Sequence, residues 1–139
     1  MTTLELCKKT RAARASLASA DRAAKDALLL SMADSLLAAA PEILEANAQD
    51  MAAARGHITD VMLDRLYLAE KRLAAMADGV RAIAALPDHT GRVLAEVRRP
   101  NGLVIQKVQV PLGLVAIIYE SRPNVTSDAA ALALKSGNT

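Results

Sequence analysis

The spacing of apolar residues changes abruptly near residue 88, and this change limits the fold more than any other feature. Before it, apolar side chains recur every three or four residues, which is the spacing of one face of an α-helix. After the turn-forming residues 88–91, the segment from Val93 to Arg98 alternates with a period of two. That period predicts a β-strand. The chain therefore joins a helical amino-terminal part to β-structure.

Five helices are expected in the first 86 residues. Thr2 and Glu5 match a capping box, and Pro41 suits the first turn of a helix, where its missing amide costs nothing. The expected positions are from Thr2 to about Leu17, from Ser19 or Asp21 to Ala40, from Pro41 to Gly56, from Thr59 to Leu66, and from Ala69 to just before Pro87.

Alanine dominates the apolar content of these helices. Thirty of the 139 residues are alanine, while phenylalanine and tryptophan are absent. Alanine has the highest helix propensity and leaves little space between helices that contact each other. The sequence therefore predicts a core in which small side chains pack closely against leucine, and its 53% hydrophobic content excludes a disordered chain.

Charge and cysteine content narrow the class of protein. A formal charge of +2 is too small to suggest a nucleic acid or an anionic membrane as partner. Cys7 is the only cysteine, so no internal disulfide is possible, and neither an export signal nor a run of about 20 apolar residues is visible. We therefore expect a soluble, cytoplasmic protein.

A hairpin and a strand–helix unit are expected after residue 91. Asn101-Gly102 predicts a tight turn, after which Leu103–Val110 should return antiparallel to the first strand. The apolar run Leu114–Tyr119 is typical of a strand buried on both faces of a parallel sheet. Capping residues at 126–128 predict a helix through Lys135, and a parallel crossover then needs another strand.

The polar loop after this run is the best candidate site, because open α/β sheets bind ligands at the carboxyl ends of their strands. Asn124 could donate its amide to a developing oxyanion, or could simply cap or shape the loop. Arg122 could bind a phosphate or carboxylate, or could pair with Glu120. The residues alone leave both choices open.

Other chemistries have little support in the sequence. No glycine-rich dinucleotide or phosphate loop occurs. Cys7 lies alone in a predicted helix, where a cysteine is more often a small hydrophobe than a nucleophile. His57 and His89 lack the spacing and the cysteine company of a metal site, so no metal is expected.

Longer strings carry a resemblance to a known family. Residues 110–126, with Tyr119-Glu120-Ser121-Arg122-Pro123-Asn124 at their centre, resemble the signature region of the gamma-glutamyl phosphate reductase family, which belongs to the aldehyde dehydrogenase superfamily. Residues 62–66, 76–80 and 128–138 resemble the same family. Ordinary aldehyde dehydrogenases carry a shorter P-W-N motif at the equivalent place.

The resemblance implies that the chain is the amino-terminal portion of a longer parent enzyme of proline biosynthesis. That enzyme would reduce L-glutamyl 5-phosphate to glutamate 5-semialdehyde and phosphate with NADPH, through a cysteine thioester. Asn124 would be the oxyanion donor, and Glu120, Ser121 and Arg122 would form a wall near the nicotinamide. The nucleophilic cysteine would lie outside this chain, so the chain alone is expected to be inactive.

The resemblance also implies an incomplete α/β fold with three parts. Residues 1–90 would be the helical part of a cofactor-binding domain, 91–111 a β-hairpin that serves as an oligomerisation element, and 112–139 the first strand–helix unit of a Rossmann-like sheet. Two other functions remain open. One is reduction of a different acyl phosphate, and the other is a non-enzymatic helical interaction module that docks through the hairpin edge.

Overall fold

The structure is a computed structural model that describes residues 2–120 and 122–139. Its elements follow the predicted order of helices, hairpin and final helix. They are α1 (Thr3–Ala18), α2 (Arg22–Ala38), α3 (Ala40–Ala54), α4 (Asp60–Leu66), α5 (Glu70–Ala85), β1 (Val93–Arg98), β2 (Val104–Val108) and α6 (Pro123–Lys135).

The predicted caps account for most helix starts. The Thr2 amide donates to the Glu5 carboxylate over 2.7 Å and the Glu5 amide donates back to the Thr2 hydroxyl over 3.3 Å, so the capping box is confirmed. Asp21 and Thr59 cap α2 and α4 by accepting the backbone amides of Ala24 and Met62. The first five helices are therefore local products of the sequence.

The core lies where α2, α5 and α6 meet, and it is built as the alanine content predicts. Ala33, Ala77 and Ala131 are completely buried between Leu29 of α2 and Val80 of α5. Alanine at these contacts lets helix axes approach closely.

Within the described residues no single helix is long and apolar enough to cross a membrane, and α2 and α3 reach that apolar length only together, bent by 65° at their junction.

A second cluster fixes the connection between α4 and α5. Leu68, Leu73 and Met76 are buried there against α3. Asn47 of α3 donates its amide to the Leu66 carbonyl over 2.8 Å, and its oxygen accepts from the Leu68 amide over 2.7 Å. One buried carboxamide thus satisfies two backbone groups of the connection and holds it against α3.

The hairpin is confirmed, with a longer turn than expected. β1 and β2 pair antiparallel, but five residues separate them instead of two. The Gly102 amide donates to the Arg99 carbonyl over 3.0 Å, and Gly102 takes the positive φ of 85°. Both faces of the ribbon are exposed, which is unusual because two isolated strands bury too little apolar surface to be stable alone.

The expectation that residues 114–119 form a buried strand is wrong for this chain. The run is assigned to no strand, its large side chains are exposed, and Ile118 is fully accessible. The physical reason is that a buried strand needs hydrogen-bonded neighbours, and among the described residues only Thr139 reaches this backbone. The Thr139 amide donates to the Gly113 carbonyl over 2.9 Å, and the Val115 amide donates to the Thr139 carbonyl over 2.7 Å.

These two hydrogen bonds form one rung of a parallel ladder between Leu114 and Thr139. The chain thus leaves Leu114, passes through α6 and returns alongside its starting point, as the predicted crossover requires. The Asn138 side chain strengthens the junction by accepting the Gly113 amide over 2.8 Å. The chain therefore makes one parallel backbone contact across α6, although residues 114–119 form no strand in this structure.

Gly137 gives this junction a testable weak point. Its φ is +75°, and an added Cβ would lie 2.8 Å from the Pro111 ring. We expect Gly137→Ala to lower the free energy of unfolding by about 1–2 kcal/mol for the left-handed backbone, and by a further 1–3 kcal/mol, roughly, for the overlap.

Gly56 provides the matched control, because its φ is +79° and nothing lies within 4 Å of an added Cβ. Gly56→Ala should therefore show the backbone effect alone. Urea unfolding followed by circular dichroism measures both variants. Equal destabilisation of the two would contradict the close contact between Gly137 and Pro111.

Candidate functional site

Asn124 lies in the first turn of α6, and not in a loop as predicted from the sequence. The helix begins at Pro123, three residues before the capping residues that were expected to start it. The proline explains the earlier start, because its fixed φ suits the first helical position and its missing amide needs no partner there. Thr126, Ser127 and Asp128 consequently lie inside the helix.

The side chain of Asn124 is exposed and does not cap the helix. Among the described residues no side chain caps α6, and the Asn124 amide instead donates to Asp128 Oδ2 over 3.0 Å. A carboxamide NH₂ has two donor hydrogens, so this contact leaves the second one for a ligand. The capping alternative for Asn124 therefore has no support in the structure.

Two further hydrogen bonds fix the start of α6. The hydroxyls of Tyr119 and Thr126 are 2.5 Å apart, which joins the end of the apolar run to the helix. Ser127 donates its hydroxyl to the Asn124 carbonyl over 2.9 Å and is itself buried. These two hydrogen bonds therefore hold the backbone around Asn124 in place.

An open cavity of about 550 Å³ lies beside Asn124, between α6 and the α4–α5 region. Its lining carries charges of both signs, with Asp64, Arg65, Arg72, Arg122 and Asp128 among its residues. Arg72 is already engaged, because it donates to Asp64 over 2.8 Å and to the Tyr67 carbonyl over 2.8 Å. The cavity thus presents an amide donor close to carboxylates and guanidinium groups.

The three loop residues that the family resemblance places near the nicotinamide differ in what the structure shows of them. Arg122 is exposed and lines the cavity, and within residues 2–120 and 122–139 no ion pair joins it to Glu120. Glu120 is exposed as well. Ser121 lies outside the described residues. The guanidinium of Arg122 is therefore available to an anionic ligand.

Two buried lysines hold α2, α5, α6 and the base of the hairpin together, and neither role was expected from the sequence. Lys135 of α6 bonds the Asp26 carboxylate of α2 and donates to the Ala84 carbonyl of α5 over 2.6 Å. Lys25, which is only 2% exposed, is paired with Asp88 just before the hairpin. Buried lysines are rare unless paired, but burial itself is not visible in sequence.

These pairs perturb the acids. The hydrogen bond from Lys135 holds the pKa of Asp26 below its ordinary value. Partial burial is the largest single influence on Asp88 and acts to raise the pKa of its carboxyl, but hydrogen bonds from Lys25 and Thr90 together outweigh it and lower the pKa. Both carboxylates are therefore charged at neutral pH and secure α6 and the base of the hairpin to α2.

Asp128 is a site residue that was not expected from the sequence. It was treated only as a helix cap, yet it lines the cavity and accepts the Asn124 amide. The available signal was its spacing, because residues four apart on a helix face each other. That signal requires Asn124 to be helical, which the sequence did not indicate.

Comparison with known proteins finds relatives of a single name. The chain is 58% identical over 134 residues to gamma-glutamyl phosphate reductase of Streptococcus pneumoniae serotype 19F, covering 96% of this chain and 32% of the relative. Relatives of the same name from other strains of that species have the same identity and coverage. A scan against models of known protein families finds no match.

Solved structures give the same result. The crystal structure of gamma-glutamyl phosphate reductase from Thermotoga maritima superimposes with a TM-score of 0.95 at 42% identity, over 98% of this chain and 33% of that one. The enzyme of that name from Saccharomyces cerevisiae superimposes with a TM-score of 0.89 at 32% identity, over 100% of this chain and 36% of that one.

The chain thus spans about a third of the length of the relatives it matches. Within that third, the agreement extends from the helices through the hairpin to α6. Sequence and fold together make this chain a homologue of gamma-glutamyl phosphate reductase.

Proposed function

We propose that this chain is the amino-terminal portion of a parent enzyme that reduces L-glutamyl 5-phosphate to glutamate 5-semialdehyde and phosphate in proline biosynthesis, in the cytoplasm. The observation that carries the proposal is the 58% identity over 96% of the chain to relatives of that name. The Thermotoga maritima structure supports it independently, because its backbone matches with a TM-score of 0.95.

In this proposal Asn124 stabilises the negative charge that develops on the acyl oxygen during the reaction. A neutral amide suits the task because it donates a hydrogen bond without exchanging its proton. Its free N–H lies at the open cavity, and its backbone is fixed by α6. The chain's own Cys7 lies on α1 and is not among the cavity residues, so the nucleophile would come from the rest of the parent enzyme.

The exposed loop suits a nicotinamide cofactor of the kind that enzymes of the aldehyde dehydrogenase superfamily bind. We take this cofactor to be NADPH. When bound, the cofactor supplies the hydride. Arg122 offers a guanidinium that pairs with no acid among the described residues, whose side chains also leave the backbone N–H groups at the start of α6 uncapped. Glu120, Ser121 and Arg122 would form the wall that orients the nicotinamide near Asn124.

The hairpin would serve as the oligomerisation element of the parent enzyme, spanning residues 91–111 between the helical part (1–90) and the start of the sheet (112–139). Every residue of β1 and β2 is exposed, including large apolar ones such as Leu94 and Ile105. A ribbon with large apolar side chains exposed to solvent needs another surface to cover them. The run at residues 114–119 likewise needs neighbouring strands from the rest of the enzyme.

An assay of the parent protein tests the function. With glutamate 5-semialdehyde, phosphate and NADP⁺, the reverse reaction should form NADPH at a rate that depends on phosphate. Semialdehydes that yield other acyl phosphates serve as controls for substrate preference. Better turnover of another substrate would overturn the assignment, and a folded parent protein with no activity on any of them would favour an interaction module.

A further inference from the structure

Asp128 is a half-buried carboxylate in the wall of the cavity beside Asn124. Its Oδ2 accepts the Asn124 amide over 3.0 Å. Its Oδ1 faces Gly79 of α5, where an added Cβ would lie 3.7 Å away, an ordinary van der Waals distance. One oxygen of this carboxylate therefore accepts from Asn124, and among the described residues no hydrogen bond is made to the other.

Asp128 also differs from the other acids near it. Asp64 is paired with Arg72, and Asp34 and Asp78 are both paired with Arg81. Within the part of the chain that the structure describes, no lysine or arginine is paired with Asp128. A half-buried carboxylate without a cationic partner can form a strong, charge-assisted hydrogen bond with a cation that enters the cavity.

We propose that Asp128 binds the α-ammonium group of the substrate and so makes the enzyme selective for an α-amino acid over the corresponding compound without the amino group. This inference rests on the proposed function. In a γ-glutamyl group, four bonds separate the reacting carbonyl carbon from the α-nitrogen, about 5 Å when extended. Asn124 and Asp128 are in contact, so together they can hold the acyl oxygen and the ammonium group.

The charges around the cavity agree with this assignment. The substrate end that carries the ammonium group also carries a carboxylate, and the cavity wall has guanidinium groups as well as Asp128. Arg65 and Arg122 are exposed at this cavity, whereas Arg72 is held by Asp64. A wall with charges of both signs complements a ligand that carries an ammonium group and a carboxylate at one end better than a ligand that carries carboxylates alone.

The test compares two aldehydes in the parent protein, in the oxidative direction with phosphate and NADP⁺. One is glutamate 5-semialdehyde and the other is 5-oxopentanoate, which lacks the amino group. Asp128→Asn keeps the shape and an oxygen that can accept from Asn124, but it removes the charge. We expect kcat/KM for the amino substrate to fall roughly 10- to 100-fold, mainly through KM, with 5-oxopentanoate unaffected.

Asp78→Asn is the matched control, because it removes an exposed carboxylate one position from Gly79 that lies outside the cavity lining. It should leave the preference between the two aldehydes unchanged. An equal fall in kcat for both aldehydes in Asp128→Asn would overturn the proposal, since Asp128 would then act only by positioning Asn124. Unchanged kinetics would overturn it too.

A different result identifies failure of the proposed function itself. If the unmodified parent protein oxidises neither aldehyde, the reductase assignment fails and the role of Asp128 fails with it. If the unmodified protein oxidises both equally well, the reductase assignment stands and only the role of Asp128 fails. If Asp128→Asn does not fold, Asp128→Glu tests the same point, because it keeps the charge and displaces it.

Discussion

Replacing Asp88 by asparagine is expected to lower the free energy of unfolding by about 3–5 kcal/mol, the effect of leaving a buried charge without its partner. Lys25 is 2% exposed, and among the described residues its ammonium group contacts only Asp88 and the Thr90 hydroxyl, the latter at 3.4 Å. Asparagine keeps the shape of the aspartate and removes its charge. Urea unfolding followed by circular dichroism measures the loss.

Lys25→Met is the matched variant, because methionine fills much of the volume of the lysine stem without a charge. Asp88 keeps the Thr90 amide as a donor at 2.9 Å, so we expect a smaller loss than in Asp88→Asn. The double variant should be about as stable as Lys25→Met alone. Additive losses in the double variant would show that the two side chains do not interact.

The same pair gives a pH signature. The pKa of Asp88 is lowered in the folded state, so its stabilising effect is complete above the unfolded value of about 3.8 and is lost as pH falls through the folded pKa. The stability of Asp88→Asn should therefore fall less steeply in acid than that of the unmodified chain. Asp26 has a lowered pKa as well and keeps part of the slope in both.

Asn124→Ala in the parent protein is expected to lower kcat about 100- to 1,000-fold, the usual cost of removing one oxyanion donor. The Asn124 side chain is exposed, and among the described residues it hydrogen-bonds only to Asp128. The free energy of unfolding should therefore change by no more than about 0.5 kcal/mol. Steady-state kinetics together with urea unfolding separates the two effects.

Gln49→Ala is the control for this variant. Gln49 is also an exposed carboxamide on a helix, and it donates to the Glu45 carboxylate one turn away over 3.2 Å. Its loss should leave kcat unchanged. A large loss of stability in Asn124→Ala with normal turnover would instead assign Asn124 a purely structural role at the start of α6.

The sequence predicted those elements whose physics is local. Capping side chains, proline and the apolar period placed the first five helices within a few residues, because each depends on neighbours less than one turn away. The Asn101-Gly102 pair marked the hairpin, although the turn proved longer. The start of α6 was missed because proline at its first position outweighed the capping residues that follow.

Tertiary structure alone decided the long-range contacts of this chain. The partners of Lys25 and Lys135 are 63 and 109 positions away in the sequence, and only the packing of α2 against α5 and α6 brings them together. Burial of residues 114–119 likewise depends on strands beside them, so an apolar run cannot reveal whether it is covered. Local propensity determined the elements of this protein, whereas long-range packing decided its charged pairs and the cavity at its candidate site.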